Sequence, residues 1–296
     1  MPGRCRLITR VQCWLMELPA DNHLHSEWSF DTRATSGLME RVCARAIDLG
    51  IPAVAFTDHI DLMAWHVAAS DLIGYEHFQQ FVTPDGMLTP PTMDIELYLE
   101  SVDRCRSKFP DLRIITGAEM GQPHHTAADA AQLPGFGELE RVLGSLHVLK
   151  VGDRFYEPPG LFRLWPAADV IREYLAEVPR VIAGSDGFSV LAHIDYAIRY
   201  WPAAQAGPLD PYDFEEEFRH AMRAVAESGR ALEMNVGVTI RPWLMQWWSE
   251  EGGQAITFGS DAHEPERVGR NFAEAAAVAE AHGFHAGRSP VDFWTC

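Results

Sequence analysis

Residues 255–263 read Ala-Ile-Thr-Phe-Gly-Ser-Asp-Ala-His (AITFGSDAH). Ala255 to Phe258 is a short apolar run of the kind a buried strand presents. It stops at Gly259, and Asp261 and His263 follow two residues apart. In an extended backbone such a pair leaves on one face. The stretch therefore predicts a carboxylate and an imidazole presented together where a strand gives way to a loop, a pairing that suits a divalent metal. Alone the pair is a weak signal; the same arrangement recurs at five earlier strand ends.

Outward from this stretch, short apolar strands alternate with helices. The earlier strands are expected at Asp21–His25, Ala53–Thr57, Arg113–Ala118, Val142–Leu146, Ser189–Ala192 and Ala231–Asn235, with Ala255–Phe258 as the seventh. Helices are expected at about Ser36–Leu49 (closed by Gly50), Thr92–Phe109, Ala167–Glu177, Pro211–Ser228, Pro242–Glu251 and Arg267–His282. Ile60 to Pro91, rich in aromatics, Gly and Pro, reads as a long irregular connection over the site. Continuous apolar strands between helices imply a parallel α/β sheet covered on both faces. A closed barrel and an open doubly wound sheet both place the site at the C-terminal strand ends. There is no GxGxxG or P-loop to favour the open sheet, and polar groups from nearly every strand end favour the barrel.

The totals bound the function. The chain has 296 residues, 47% of them hydrophobic and 22% charged, which suits a folded α/β domain. With 24 Lys plus Arg against 42 Asp plus Glu the net charge is −18, so a nucleic-acid backbone is repelled and no nucleic-acid partner is expected. Cys5, Cys13, Cys43, Cys105 and Cys296 are scattered and without CxxC spacing, the pattern of reduced thiols in a cytoplasmic protein. No apolar run is long enough to span a bilayer. Residues 1–15, with Arg4, Arg6 and Arg10 and no continuous apolar stretch, read as an N-terminal extension, or as the product of a start codon upstream of a natural Met16. The domain is expected over 16–296.

The strand-end groups are His23, His25, His59, Glu119, His147, His193, Asp261 and His263. The HxH spacing sends both imidazoles of the first strand to one face, and Glu119 can give one oxygen to each of two cations. One such residue is more often a hydrogen-bonded structural group than a ligand. Eight with the same placement make a metal site.

In this order the motifs D-x-H-x-H-S, T-D-H, G-x-E, G-S-x-H, A-H-x-D and G-S-D-A-H resemble the polymerase-and-histidinol-phosphatase (PHP) superfamily, and within it the histidinol-phosphate phosphatases. The resemblance runs from about Asp21 to the last helix. It implies a single distorted (β/α)7 barrel binding two or three divalent ions (Zn, Mn or Fe) at the strand C-termini. Carried over by position, it implies His23, His25, Glu119 and Asp261 on the first metal, and Glu119, His147 and His193 on the second. His59, His263 and Asp31 fall to the third; some members have His where this chain has Asp31, and the alternative for Asp31 is a solvated loop Asp or an N-cap neighbour before Thr32. Arg154 and Arg199 stand where related phosphatases hold phosphate, with Arg241 as a third candidate. Asp58 is read as orienting a ligand or carrying a proton, and Asp195 as a similar group or a structural cap.

The expected activity is hydrolysis of a small phosphate monoester, with L-histidinol phosphate as leading substrate, in histidine biosynthesis. A hydroxide bridging two cations is a nucleophile at neutral pH, and Arg groups would neutralise the phosphoryl oxygens. Alternatives are a related hydrolase of nucleotide, sugar or cyclic phosphates, its choice set by residues 60–91 and by Trp243, Trp247 and Trp248 (rings that are more often core than ligand-stacking groups), and an accessory polymerase-type domain. The last fits poorly with a free-standing, acidic chain that keeps the ligand set.

Overall fold

The computed structural model describes residues 18–33 and 37–296; the expected 1–15 extension and the first turn expected at Ser36 lie outside the described residues. Along the path of a nine-stranded sheet the parallel strands run in chain order: β1 (Asp21–Leu24), β2 (Ala53–Phe56), β3 (Arg113–Gly121), β4 (Arg141–Ser145), β5 (Val190–Leu191), β6 (Ala231–Asn235) and β7 (Ala255–Gly259); the short strand His59–Ile60 pairs in parallel with β3 off that path. The antiparallel β8 (Trp294–Thr295) pairs with β7. The sheet is curled. Leu24 bridges Ala262 in parallel. Asp261 N donates to His23 O (2.8 Å) and His25 N to Ala262 O (3.0 Å).

These strands are apolar on both faces because both are covered. Leu24, Val54, Phe56, Ile114, Leu232, Ile256 and Phe258 are buried with the helices around them. A smaller cluster, Leu143, Val190, Ala192 and Ala231, joins consecutive strands. Near it Arg141 reaches across the sheet to donate to Asn22 and, at 2.7 Å, to Val291 O, with Phe293 against its guanidinium. No helix among the described residues is long and apolar enough to cross a membrane.

Several boundaries differ from expectation. The helix expected to end at Glu177 continues through Pro179 to Gly184. A proline inside a helix costs about 3 kcal/mol. Beyond it Val181 and Ile182 are buried, and each contributes roughly 1.5–3 kcal/mol, enough to offset that cost. The last helix is shorter, Phe272–Ala281, because Gly269 and Asn271 both take positive φ and interrupt the run from Arg267. β3 extends three residues past the expected end, so Glu119 lies within the strand.

The Ile60–Pro91 connection is more ordered than expected. Trp65–His66 pairs antiparallel with Met87–Leu88, and two 3-10 turns lie between them. Trp65, Leu88 and Val148 form a small core of their own, joined by Phe30, Phe78 and Phe81. A two-pronged ion pair, Arg163 to Asp71 at 2.5 and 2.6 Å, fastens the excursion to the helix Pro158–Leu164.

Candidate metal centre

At the end of β1 the two-residue spacing does what a strand dictates: His23 Nε2 and His25 Nε2 come within 3.1 Å. Beneath them buried Asp21 accepts from Ser260 N (3.0 Å), Ser260 Oγ (2.6 Å) and Gly269 N (3.2 Å), tying β1 to the loop after β7. Past β2, His59–Ile60 pairs with Glu119–Met120 of β3, which sets His59 beside Glu119. Glu119 is 1% exposed and stands at the middle of the group. Its Oε1 lies 2.7 Å from His193 Nε2 and 2.9 Å from His147 Nε2. Its Oε2 lies 3.0 Å from His23 Nε2 and 3.4 Å from His25 Nε2.

Asp261 Oδ1 is 3.2 Å from His25 Nε2. Asp31 Oδ2 is 2.5 Å from His263 Nε2 and 3.3 Å from His59 Nε2, so the loop carboxylate joins the imidazoles of two distant segments. Three of the groupings of ligand atoms are His23/His25/Glu119, Glu119/His147/His193 and His25/Asp31/His59/His263. His25 thus stands in two of them.

The donor set fits divalent cations. Outer ring nitrogens are engaged from behind: His23 Nδ1 by Glu233 Oε1 (2.7 Å), His25 Nδ1 by Ser29 Oγ (3.0 Å) and His147 Nδ1 by Asp61 Oδ1 (3.2 Å). Carboxylate and hydroxyl partners of this kind fix a tautomer whose inner lone pair points to a metal. The inner nitrogens of His23 and His25 stand 3.1 Å apart on fully buried rings, a spacing that suits one shared cation. Burial, then the charge of His263, pushes His25 down to about 4, into the neutral form that ligates. Burial alone would raise Glu119 and Asp31, but the facing imidazoles hold both well below the usual carboxylate range.

Glycine makes room for this packing. A Cβ on Gly259 would stand 2.0 Å from Glu233 Oε1 and 2.6 Å from His23 Cβ. Gly259→Ala is therefore expected to push Glu233 off His23 and weaken metal binding about 10- to 100-fold, read by competition with a metal indicator. Unaltered affinity would show that Glu233 does not hold that ring.

Some expectations need correction. Asp261 and His263 do not alternate along an extended strand: β7 ends at Gly259, and Asp261 is left-handed, with φ of 54°. That turn aims Asp261 at His25 and His263 at Asp31, a conformation Asp tolerates better than most residues. Asp58 does not face the cavity. It is fully buried and spends both oxygens on Ser26, accepting from the backbone N at 2.6 Å and the hydroxyl at 2.8 Å, so it braces the loop after His25. Arg154 is exposed in the hairpin Leu149–Val151/Arg154–Tyr156 and is not among the cavity-lining residues. Trp247 and Trp248 are buried in the core, with Trp243 packed against Trp247, so these rings select no ligand.

Arg199 does line the cavity. Its Nη1 donates to Asp261 Oδ2 (3.1 Å), and its Nη2 lies 3.6 Å from Asp195 Oδ1. Nε and Nη2 are buried without hydrogen-bond partners, donors that an anion would satisfy. Asp195 is neither a cap nor a proton carrier: it is held between Arg199 and Arg241, whose Nε donates to it at 2.6 Å. Arg241 itself is not among the cavity-lining residues.

Two residues of the centre went unremarked in the sequence. Asp61 lies 2.9 Å from His59 Nδ1 and 3.2 Å from His147 Nδ1. Glu233 holds His23 and also accepts from His193 N at 2.8 Å. The signal for Glu233 was a lone acid inside the apolar strand Ala231–Asn235, and for Asp61 its position two after His59. The centre opens into a cavity of about 640 Å³ walled by Phe30, Trp65, Phe78 and Tyr196 among others.

The PHP domain family model matches residues 21–237. A histidinol-phosphatase of Lactococcus lactis subsp. lactis is 25% identical over 274 residues, covering 90% of this chain and 91% of its own. A protein of Clostridium acetobutylicum named probable histidinol-phosphatase is 25% identical over 271 residues, 88% of this chain and 92% of its own. A crystal structure of the Lactococcus lactis histidinol phosphate phosphatase, complexed with zinc, L-histidinol and phosphate, shares the fold with a TM-score of 0.74 at 22% identity, over 93% of this chain and 98% of that one.

Proposed function

The chain belongs to the PHP domain family, and from that premise we propose that it is a metal-dependent phosphatase of small phosphate monoesters, with L-histidinol phosphate as substrate. The observation that carries the reading is the convergence of six imidazoles with Asp31, Glu119 and Asp261 beside an arginine whose Nε and Nη2 have no hydrogen-bond partner. The curated relatives named histidinol-phosphatase, matched over nearly their whole lengths, support the substrate. In this reading 16–296 form one domain and the seven parallel strands make a distorted (β/α)7 barrel. The hydrogen bonds between the end of β1 and the segment after β7 support that closure.

His23, His25, Glu119 and Asp261 would hold one ion, Glu119, His147 and His193 a second, and His59, His263 and Asp31 a third; zinc, manganese or iron suits these donors. When bound, such ions lower the pKa of water to near neutrality and withdraw charge from phosphoryl oxygens. The chain's own groups do the rest. Arg199 presents its free N–H groups to the phosphoryl oxygens, and Asp195 and Asp261 hold its plane in place. Asp61 and Glu233 keep His59, His147 and His23 oriented. Trp65, Tyr75 and Phe78 of the residue 60–91 excursion line the cavity with Phe30 and would limit water around the ester.

The test is phosphate release from L-histidinol phosphate by metal-replete protein, beside nucleotide, sugar and cyclic phosphates. Preference for L-histidinol phosphate, with loss of activity and of bound metal on chelation and return of both with zinc or manganese, is the expected result. Turnover of another panel member alone would overturn the substrate, and full activity in metal-free protein would overturn the mechanism.

A further inference from the structure

Glu157 lines the cavity and serves neither the metal centre nor the phosphate-binding arginine. Glu157 precedes the helix Pro158–Leu164, and its backbone carbonyl accepts from Gly160 N (2.9 Å) and Leu161 N (3.0 Å). Its side chain takes no part in capping and turns into the cavity wall instead. There Oε1 accepts from the Tyr196 hydroxyl (3.3 Å) and Oε2 from Trp65 Nε1 (3.2 Å). Both donors are neutral. A carboxylate has about four acceptor sites, and these contacts take two of them.

Four other acids of the cavity have cationic or imidazole partners. Asp71 is taken by Arg163, Asp31 by His263, Asp61 by His59 and His147, and Asp261 by Arg199. Glu264 is exposed at the mouth. Glu157, among the described residues, is the partly buried cavity acid held by neutral donors alone. A carboxylate so placed is poorly hydrated, and a ligand cation is the partner that would satisfy it.

Its position relative to the centre is set by Tyr196. That ring packs 5.1 Å from the His193 ring and 5.4 Å from the His147 ring, and the Arg199 guanidinium lies 5.6 Å from its centroid. Tyr196 therefore has its ring at the phosphate end and its hydroxyl on Glu157. A monoester whose phosphoryl group sits at Arg199 would lay its alcohol along this ring, with Glu157 at the far end. The Tyr200 hydroxyl, 3.5 Å from that of Tyr196, adds a second aromatic group suited to a cation.

We infer that Glu157, held by Tyr196 and Trp65, recognises a positively charged group, an ammonium or imidazolium, on the leaving alcohol of the substrate. The inference rests on the phosphomonoesterase reading and deepens it: the site selects esters of cationic alcohols over neutral ones.

The experiment compares metal-replete wild type with Glu157→Gln and Glu157→Asp on L-histidinol phosphate and on 4-nitrophenyl phosphate, whose leaving group carries no cation. Gln keeps the shape and an acceptor but not the charge. The expected result is that the ratio of kcat/KM for the two substrates falls about 10- to 100-fold in Glu157→Gln, mainly through KM for L-histidinol phosphate, with Asp intermediate. A ratio that stays within about threefold, or a parallel loss on both substrates, overturns the inference and assigns Glu157 to bracing Trp65 and Tyr196. Wild type that hydrolyses neither ester defeats the phosphatase reading. In that event, calorimetric titration with L-histidinol decides the cation site separately. A Kd weakened at least about tenfold by Gln upholds it, while an equal Kd or no binding overturns it.

Discussion

Glu119→Gln is expected to abolish turnover to on the order of a thousandth of wild type or less and to lower the bound metal at the same time. The reason lies in how its two oxygens are divided: Oε1 lies against His147 and His193, while Oε2 lies against His23, His25 and His59. An amide offers one ligating oxygen and no charge, so one substitution disables two neighbouring groupings. Metal assistance is worth several kcal/mol of transition-state stabilisation, which sets the thousandfold scale. Metal content by plasma mass spectrometry and kcat/KM for L-histidinol phosphate are measured on one preparation. Lost activity at full metal content would mean that Glu119 acts in the chemistry and does not hold the ions. Retained activity would remove it from the site.

Arg199→Met is the second large effect, and its signature is the opposite. Activity is expected to fall about 100- to 1,000-fold, the usual cost of removing a preorganised donor, while metal content stays at the wild-type level. The fold should survive. Asp195 keeps Arg241 at 2.6 Å, and Asp261 keeps Asn235 Nδ2 at 3.2 Å, so neither carboxylate is left alone. Arg199→Lys should recover little, since one ammonium cannot reproduce a planar fork that spans Asp195, Asp261 and a phosphoryl oxygen. A Met variant with near-normal kcat/KM would show that Arg199 is a brace for Asp261 and nothing more. Loss of metal in that variant would place its role in holding the ligand Asp261.

The contrast between Arg199 and Arg154 shows where sequence reading stops. Both follow a strand-end histidine by six or seven residues, and both looked equally able to bind phosphate. The difference is three-dimensional. The chain after His193 coils into a tight turn that returns Arg199 over the centre, whereas the chain after His147 runs out into a two-stranded hairpin and carries Arg154 to its tip. Asp58 and Asp61 make the same point from one segment. Asp58 turns down onto Ser26, and Asp61 turns inward between two imidazoles.

What the sequence determined by itself was the alternation of strands and helices and the group of residues gathered at one end of the sheet. Strand periodicity is local: it settles on which face His23 and His25 emerge, and a run of apolar residues between helices requires a covered parallel sheet. The tertiary structure alone decided which carboxylate stands behind which imidazole, which arginine faces the cavity and which acid is left for a ligand. Those outcomes depend on contacts between segments far apart in the chain, such as Glu233 with His23, Asp31 with His263 and Glu157 with Tyr196. No local period encodes such contacts; they exist only once the curled sheet brings its strand ends around one centre.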